Sequence, residues 1–362
     1  MSESILKKEE RVAFGLRSLY RRYGYLPYKM SKFEEYDLYV ENKEFLVGDG
    51  VITFNDTDGK LLALKPDVTL SIIKNDGDEQ GKRKVYYNEN VYRLSAKTKQ
   101  FKEIMQVGLE CIGDIRLYDV FETVYLAAKS LAEISENFVL DISHLGILSA
   151  LLSEIGVGEK FNKELMQRLA EKNLHDARAL CEKYGVSAAD KEKLFALITA
   201  YGAPLEVLKK LAPYCQGKAK AAYERLSALC QLLAKTEYAE KIRLDFSVVN
   251  DMNYYNDVVF KGFVDGVAEG VLSGGRYDKL MSRMGKKSGA IGFAVYLDLL
   301  ENFERAERNA DVDVLIVYDD TCPLELLNKV NELTAQGKTV RVQKSKDGVR
   351  YEKLLDLTGG KV

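Results

Sequence analysis

Two segments dense in aromatic and β-branched residues, RKVYYNENVYRLS (83–95) and FKEIMQVGLECIGD (101–114), stand five residues apart. Both show a partial alternation of apolar and polar side chains, the period of a half-buried strand. The polar stretch between them, AKTKQ, has the character of a turn. The spacing therefore predicts a long antiparallel pair, and a chain organised around it folds as a largely antiparallel sheet whose faces the remaining sequence must cover.

The flanks supply that cover. Residues 4–24 carry Val12, Leu16, Leu19 and Tyr20 on one helical face. Tyr25 to Leu38 reads as extended, with short strands at Val51–Asn55 and Leu61–Lys65. Pro66-Asp67 then opens a helix with Leu70, Ile72 and Ile73 on its apolar side. A helix is expected over Leu117–Ser135 and a strand over Phe138–Ile142. From Leu145 to Glu240 the character changes: Leu and Ala recur at helical spacing between charges, and β-branched residues thin out. Strand-type sequence resumes at IRLDFSVVN (242–250), so this helical region reads as an insertion. Strands at Val258–Val264 and Val271–Ser273 lead to Gly274-Gly275 and a helix, and an apolar helix is expected over Ala290–Glu307. The tail reads strand, helix, strand, one βαβ unit with a right-handed crossover.

The expected fold class is α+β: a mostly antiparallel sheet flanked by helices, with a helical insertion and a short C-terminal appendage. Residues 1–144 and 241–308 form the core, 145–240 the insertion and 309–362 the appendage. The chain's 362 residues, 46% of them hydrophobic, suffice for a large core and two or three domains. Charges nearly balance, 53 Lys+Arg against 55 Asp+Glu, which is not the footprint of a dedicated nucleic-acid binder. No run of about 18 apolar residues could span a membrane, and MSESILKKEERVAFGL lacks an apolar signal core; a cytoplasmic location is the expectation. Cys111, Cys181, Cys215, Cys230 and Cys322 form no CxxC pair, and His144 and His175 lie far from ligand spacing, so neither a metal site nor a cofactor is expected.

Phosphate-loop, dinucleotide and HExxH signatures are absent. What remains is a set of polar residues embedded in apolar sequence. Asp67 and Thr69 in KPDVT could accept hydrogen bonds from a ligand ammonium or simply cap a helix. Gln106 and Glu110 lie four apart on a strand and share a face, which is either a polar binding wall or ordinary solvent-facing alternation. Arg93 on the facing strand suits an anionic ligand or a cross-strand salt bridge. Tyr254 and Tyr255 follow Asn253 in a turn-like stretch; on a strand they would point to opposite faces, and core packing alone would also explain them. LSGGRYDKL (272–280) places two glycines at a strand end with Arg276 beyond them. Gly292 in AIGFAV requires close packing or a ligand to explain it, since glycine in a helix interior costs about 1 kcal/mol against alanine.

Taken in order, these stretches resemble the class II aminoacyl-tRNA synthetase core, in its histidyl-tRNA synthetase branch, over about residues 5–305. YGYLPYKMSKFEEYD is similar to motif 1, and YRLSAKTKQFKEIMQVGLE to motif 2 and its following strand. MNYYNDVVF is similar to the histidine-specific loop, and LSGGRYDKL with AIGFAVYLDLL to motif 3 and its approach. The resemblance implies that Asp67, Thr69 and Gln106 bind an amino-acid ammonium group and that Glu110, Tyr254 and Tyr255 surround an imidazole. Arg93 and Arg276 complete the implied histidine-binding set.

The sequence also departs from a working synthetase. Ser95 stands where motif 2 expects a carboxylate, Leu299 where motif 3 expects its ATP-binding arginine, Asn250 where the histidine loop expects an arginine, and Ser31 where motif 1 expects proline. Loss of cations that stabilise developing phosphate charge costs orders of magnitude in rate. A paralogue with histidine-pocket residues kept and ATP residues lost resembles the regulatory subunits of ATP phosphoribosyltransferase, as does DISHLGILSALL with His144. That resemblance implies a non-catalytic, homodimeric core within a hetero-oligomer, a short-form ATP phosphoribosyltransferase catalytic subunit as partner, and feedback control by L-histidine. The alternatives are an atypical histidyl-tRNA synthetase and a sensor of uncharged tRNA, the latter with Lys97, Lys99 and Lys102 as a small basic cluster.

Overall fold

In the computed structural model, which describes residues 7–46, 50–75, 81–95, 98–249, 254–300, 310–319 and 322–358, the chain opens with helix α1 (Lys8–Arg22) and a two-residue strand β1 (Leu26–Pro27). Strand β2 (Phe33–Glu35), helix α2 (Tyr36–Glu41), strands β3 (Thr53–Asn55) and β4 (Leu61–Leu64) and helix α3 (Thr69–Lys74) follow. The predicted long pair is β5 (Arg83–Leu94) and β6 (Phe101–Gly113), antiparallel throughout, with Arg83 opposite Ile112 and Leu94 opposite Phe101. Helix α4 (Leu117–Ala132) starts where Asp119 accepts the Arg116 backbone N–H at 2.8 Å, satisfying a donor the first turn leaves open.

Strand β7 (Phe138–His144) runs directly into the helical region: α5 (Leu145–Ile155), α6 (Glu159–Ala170), α7 (Leu174–Lys183), α8 (Ala188–Ile198), strand β8 (Tyr201–Gly202), α9 (Pro204–Leu211) and α10 (Lys220–Leu233). Local signals set these boundaries. Gly156 ends α5 at φ +70°, Asn173 and Ser187 accept N-cap hydrogen bonds, and Pro204 opens α9. The chain then returns to the sheet through β9 (Ile242–Asp245), β10 (Val258–Val264), β11 (Leu272–Arg276), α11 (Asp278–Arg283) and β12 (Gly289–Tyr296).

The main sheet runs β1-β5-β6-β12-β11-β10-β7-β9-β8, and β2-β4-β3 form a small antiparallel sheet. Pairing in the main sheet is antiparallel except at β1/β5 and β7/β9. The period-2 alternation of β6 divides its side chains between two cores. Val107, Leu109 and Cys111 join the cluster containing Leu16 of α1 and Leu126 of α4, which extends into the helices α5 to α10. Ile112 lies on the other face, with Leu70 and Ile72 of α3 and Leu280 of α11. Gln106, Gly108 and Glu110 share that second face by alternation.

These elements lie within the first of two compact units, Met1–Phe303 and Glu304–Val362. In the second, β13 (Val312–Val317) lies between parallel partners β14 (Val340–Gln343) and β15 (Tyr351–Asp356), and helix α12 (Pro323–Ala335) contributes Leu326 to a core with Val314 and Ile316. Among the described residues, no helix is long and apolar enough to cross a membrane.

Three sequence expectations are corrected. The expected apolar helix over Ala290–Glu307 is the central strand β12 followed by a single 3-10 turn, Leu297–Leu300; residues 301–309 lie outside the described set. A strand covered on both faces reads as a continuous apolar run, which periodicity cannot distinguish from a buried helix. The segment read as extended from Tyr25 to Leu38 contains the start of α2. The tail adds β15 to the expected βαβ unit; YEKLLD keeps no residue fully buried, so its apolar signal is weak.

Candidate functional site

The second face of the sheet carries a pocket walled by β5, β6, β11 and β12 and by the start of α3. Asp67, Thr69, Arg93, Gln106, Glu110, Tyr254 and Tyr255 line it together, joined by Val68, Tyr87, Ser273, Tyr277, Gly292, Phe293, Ala294 and Tyr296. Seven of the eight residues singled out in the sequence thus meet at one place. Arg276, the eighth, sits at the end of β11 with its Nε donating to Asp278 at 2.8 Å, and it does not line the pocket.

Glu110 is the centre of the polar network. Its carboxylate accepts from Thr69 Oγ1 at 2.9 Å and from Tyr277 Oη at 2.6 Å. Only 2% of the residue is exposed. Burial pushes its carboxyl up to about 8, against the lowering effect of the Tyr277 and Thr69 hydroxyls and with a further raising effect from the Asp67 charge. The carboxylate lies over Gly292 of β12: a Cβ there would overlap Glu110 Oε2 and the Leu109 carbonyl oxygen. Close packing therefore explains the glycine that the sequence left open.

Asp67 divides its two oxygens. Oδ1 takes the Leu70 backbone N–H at 2.9 Å, so helix capping holds for that oxygen, while Oδ2 lies 3.6 Å from an Arg93 guanidinium nitrogen. Burial raises the Asp67 carboxyl, and the Arg93 charge and backbone N–H groups of Leu70 and Thr69 oppose that shift. Arg93 also donates from Nε to the Pro66 carbonyl at 2.7 Å. The guanidinium thus touches the chain's own acceptors at one edge while it lines the pocket.

On the opposite wall, Gln106 is 2% exposed and its Nε2 has no hydrogen-bond partner. An unpaired buried donor costs about 1–3 kcal/mol, so this amide is poised to donate to a ligand. The remaining wall is aromatic. Tyr254 and Tyr255 lie in a turn rather than on a strand, so both rings reach the pocket, their centroids 4.7 Å apart; Tyr277 stands 5.7 Å from Tyr254. Tyr87 and Tyr277 were missed in the sequence. Alternation from Ser273 through Gly275 would have placed Tyr277, and not Arg276, on the pocket face.

The positions implied by the ATP side of the synthetase resemblance serve other ends. Leu299 packs against the large core, and Ser95 Oγ accepts the Thr98 backbone N–H inside the β5–β6 turn. Asn250 and Lys97 lie outside the described residues. His144 is buried with Nε2 3.0 Å from Asp257 Oδ1. No group of His, Cys, Asp and Glu among the described residues could hold a metal ion.

An antiparallel sheet flanked by helices, with a polar pocket framed by the long hairpin and the last central strand, defines a protein of the class II aminoacyl-tRNA synthetase fold. The model of the histidyl-tRNA synthetase family matches residues 1–300, and the chain belongs to that family. It is 26% identical over 350 residues to an ATP phosphoribosyltransferase regulatory subunit of Oceanobacillus iheyensis, covering 94% of this chain and 85% of that one. Among solved structures it is similar to an ATP phosphoribosyltransferase regulatory subunit/histidyl-tRNA synthetase from Bacillus halodurans, with a TM-score of 0.80 and 25% identity over 97% of this chain and 94% of that one. It also shares its fold with a chain of the ATP phosphoribosyl transferase complex from Thermotoga maritima, at a TM-score of 0.63 and 19% identity over 80% of this chain and 97% of that one.

Proposed function

We propose that this chain is a regulatory subunit of ATP phosphoribosyltransferase that binds L-histidine in the sheet-face pocket and has no aminoacylation activity of its own. The names borne by its relatives support the regulatory role. The observation that carries the ligand is the buried Glu110–Thr69–Tyr277 cluster facing the unpartnered Gln106 amide across a tyrosine-lined wall. An imidazole needs an acceptor for its N–H and an aromatic enclosure, which Glu110 and the tyrosines supply; an α-ammonium group needs acceptors, which Asp67, Thr69 and the Gln106 carbonyl supply. Leu299, packed against the core where the resemblance puts an ATP-binding arginine, argues against adenylate chemistry.

In this reading the synthetase-like core, 1–144 with 241–308, is the sensing unit, 145–240 is inserted into it and 309–362 is appended. The cores pair within a hetero-oligomer with the short-form catalytic subunit. Histidine regulates by binding one state of that assembly more tightly than the other, since a ligand with equal affinity for both shifts nothing.

The test is reconstitution. Phosphoribosyl transfer from PRPP to ATP is measured with a short-form catalytic subunit from the same source, with this chain added and L-histidine varied. Activity should appear on mixing and fall as histidine rises. No activation at any ratio, together with histidine-dependent ATP–pyrophosphate exchange by the chain alone, would replace this reading with a synthetase.

A further inference from the structure

Two residues singled out in the sequence, His144 and Arg276, do not line the pocket, yet both act on one carboxylate. Asp257 directly precedes β10 and follows Tyr254 and Tyr255 in the turn that walls the pocket. Its side chain is only 14% exposed. Oδ1 takes the Val258 backbone N–H at 2.9 Å and lies 3.0 Å from His144 Nε2, while Oδ2 accepts from Arg225 of α10 at 3.2 Å. The Asp257 backbone carbonyl takes the N–H of Leu145, the first residue of α5, at 2.8 Å. Burial alone would raise the Asp257 carboxyl, but His144, Arg225 and Arg276 hold it well below the usual carboxylate range.

The same turn is fixed on the sheet side. Asn256 donates its backbone N–H to the Arg276 carbonyl at 3.0 Å, and its Oδ1 accepts the Lys279 backbone N–H at 3.3 Å. The Tyr255 ring rests on Gly275 of β11, where an added Cβ would meet it at 2.8 Å. Consecutive residues thus divide the work: Tyr254 and Tyr255 face the pocket, Asn256 grips β11 and α11, and Asp257 grips α5 and α10. A mostly buried carboxylate that loses a charged partner turns toward water, and in turning it pulls on the tyrosines beside it.

Resting on the histidine reading above, we infer that Arg225 is a positioning residue for the pocket's ligand. By holding Asp257 it sets the Tyr254–Tyr255 wall without itself lining the pocket. Ligand binding and the packing of α10 are thereby coupled, each shifting the other.

Calorimetry with L-histidine on the full chain tests this. Arg225→Met should weaken binding about 3- to 5-fold, the scale of an ion pair whose arginine is half in water. Arg225→Lys should retain most of the affinity. Asp257→Asn should weaken binding at least as much as Arg225→Met, and adding Arg225→Met to it should cost nothing more. An arginine that served stability alone would lower the urea midpoint and leave affinity where it was. Wild-type affinity in Arg225→Met, or a further loss when it is added to Asp257→Asn, would overturn the positioning role and leave the histidine pocket standing. A wild-type chain that binds no histidine would overturn both.

Discussion

Glu110→Gln should make the free chain more stable than the wild type, and the gain should grow with pH. The wild-type carboxyl ionises near 4.5 in the unfolded chain and near 8 in the folded one, chiefly because burial disfavours its charge. Between those values the folded state binds the extra proton, so raising pH lowers wild-type stability by about 1.4 kcal/mol per unit until pH passes about 8. Glutamine has no such slope, and its amide can still accept from Thr69 and donate to the Tyr277 oxygen. The difference should be small near pH 4.5 and on the order of 4–5 kcal/mol, as an upper bound, above pH 8. Asp141, whose carboxyl burial and the neighbouring Asp245 raise to about 6, titrates in both proteins and cancels from the difference. Urea denaturation of both proteins at pH 5, 6.5 and 8 measures it. A difference that does not vary with pH would mean Glu110 is ionised in the free fold.

The same substitution should weaken L-histidine binding by about 10- to 100-fold, because it removes the acceptor best matched to an imidazole N–H. Stability and affinity moving in opposite directions is the signature of a binding group held at a cost in the free protein. A structural carboxylate would move both the same way.

How much of this was legible in the sequence depended on whether a residue's neighbours were local. The β5–β6 pair is set by aromatic and branched residues on a period of two, and β10 occupies the segment expected of it, Val258–Val264. The strand β12 was misread because its signal, apolar at nearly every position, comes from being covered on both faces, which is a tertiary fact. Gly292 shows the same limit: the glycine was visible, but the carboxylate above it comes from another strand.

Within the site, Gln106 and Glu110 were legible as one face because four residues on a strand return to the same side. Tyr254 and Tyr255 reach the pocket together because the chain turns there, so the alternation rule for strands did not apply. Arg93 illustrates a third case. Its sequence context offered an external anion or an internal partner, and the fold places it beside both: it lines the pocket while its Nε donates to the Pro66 carbonyl and a second guanidinium nitrogen lies 3.6 Å from Asp67 Oδ2.

Gly292→Ala should lower stability by about 3 kcal/mol and abolish histidine binding. The added methyl would occupy the position of Glu110 Oε2 and press on the Leu109 carbonyl oxygen, in a strand paired on both sides by β6 and β11. Backbone on one side cannot yield without breaking ladder hydrogen bonds, so the carboxylate must move and surrender its Tyr277 and Thr69 partners. Denaturation of Gly292→Ala, Glu110→Ala and the double variant separates the two contacts. If the clash with Glu110 dominates, truncating that side chain relieves it, and the double variant should be more stable than the sum of the single losses predicts by about 1–2 kcal/mol. Additive losses would mean that Gly292 serves the close approach of β12 to the Leu109 backbone alone, and that the seat of the carboxylate is set by α3 and Tyr277 instead.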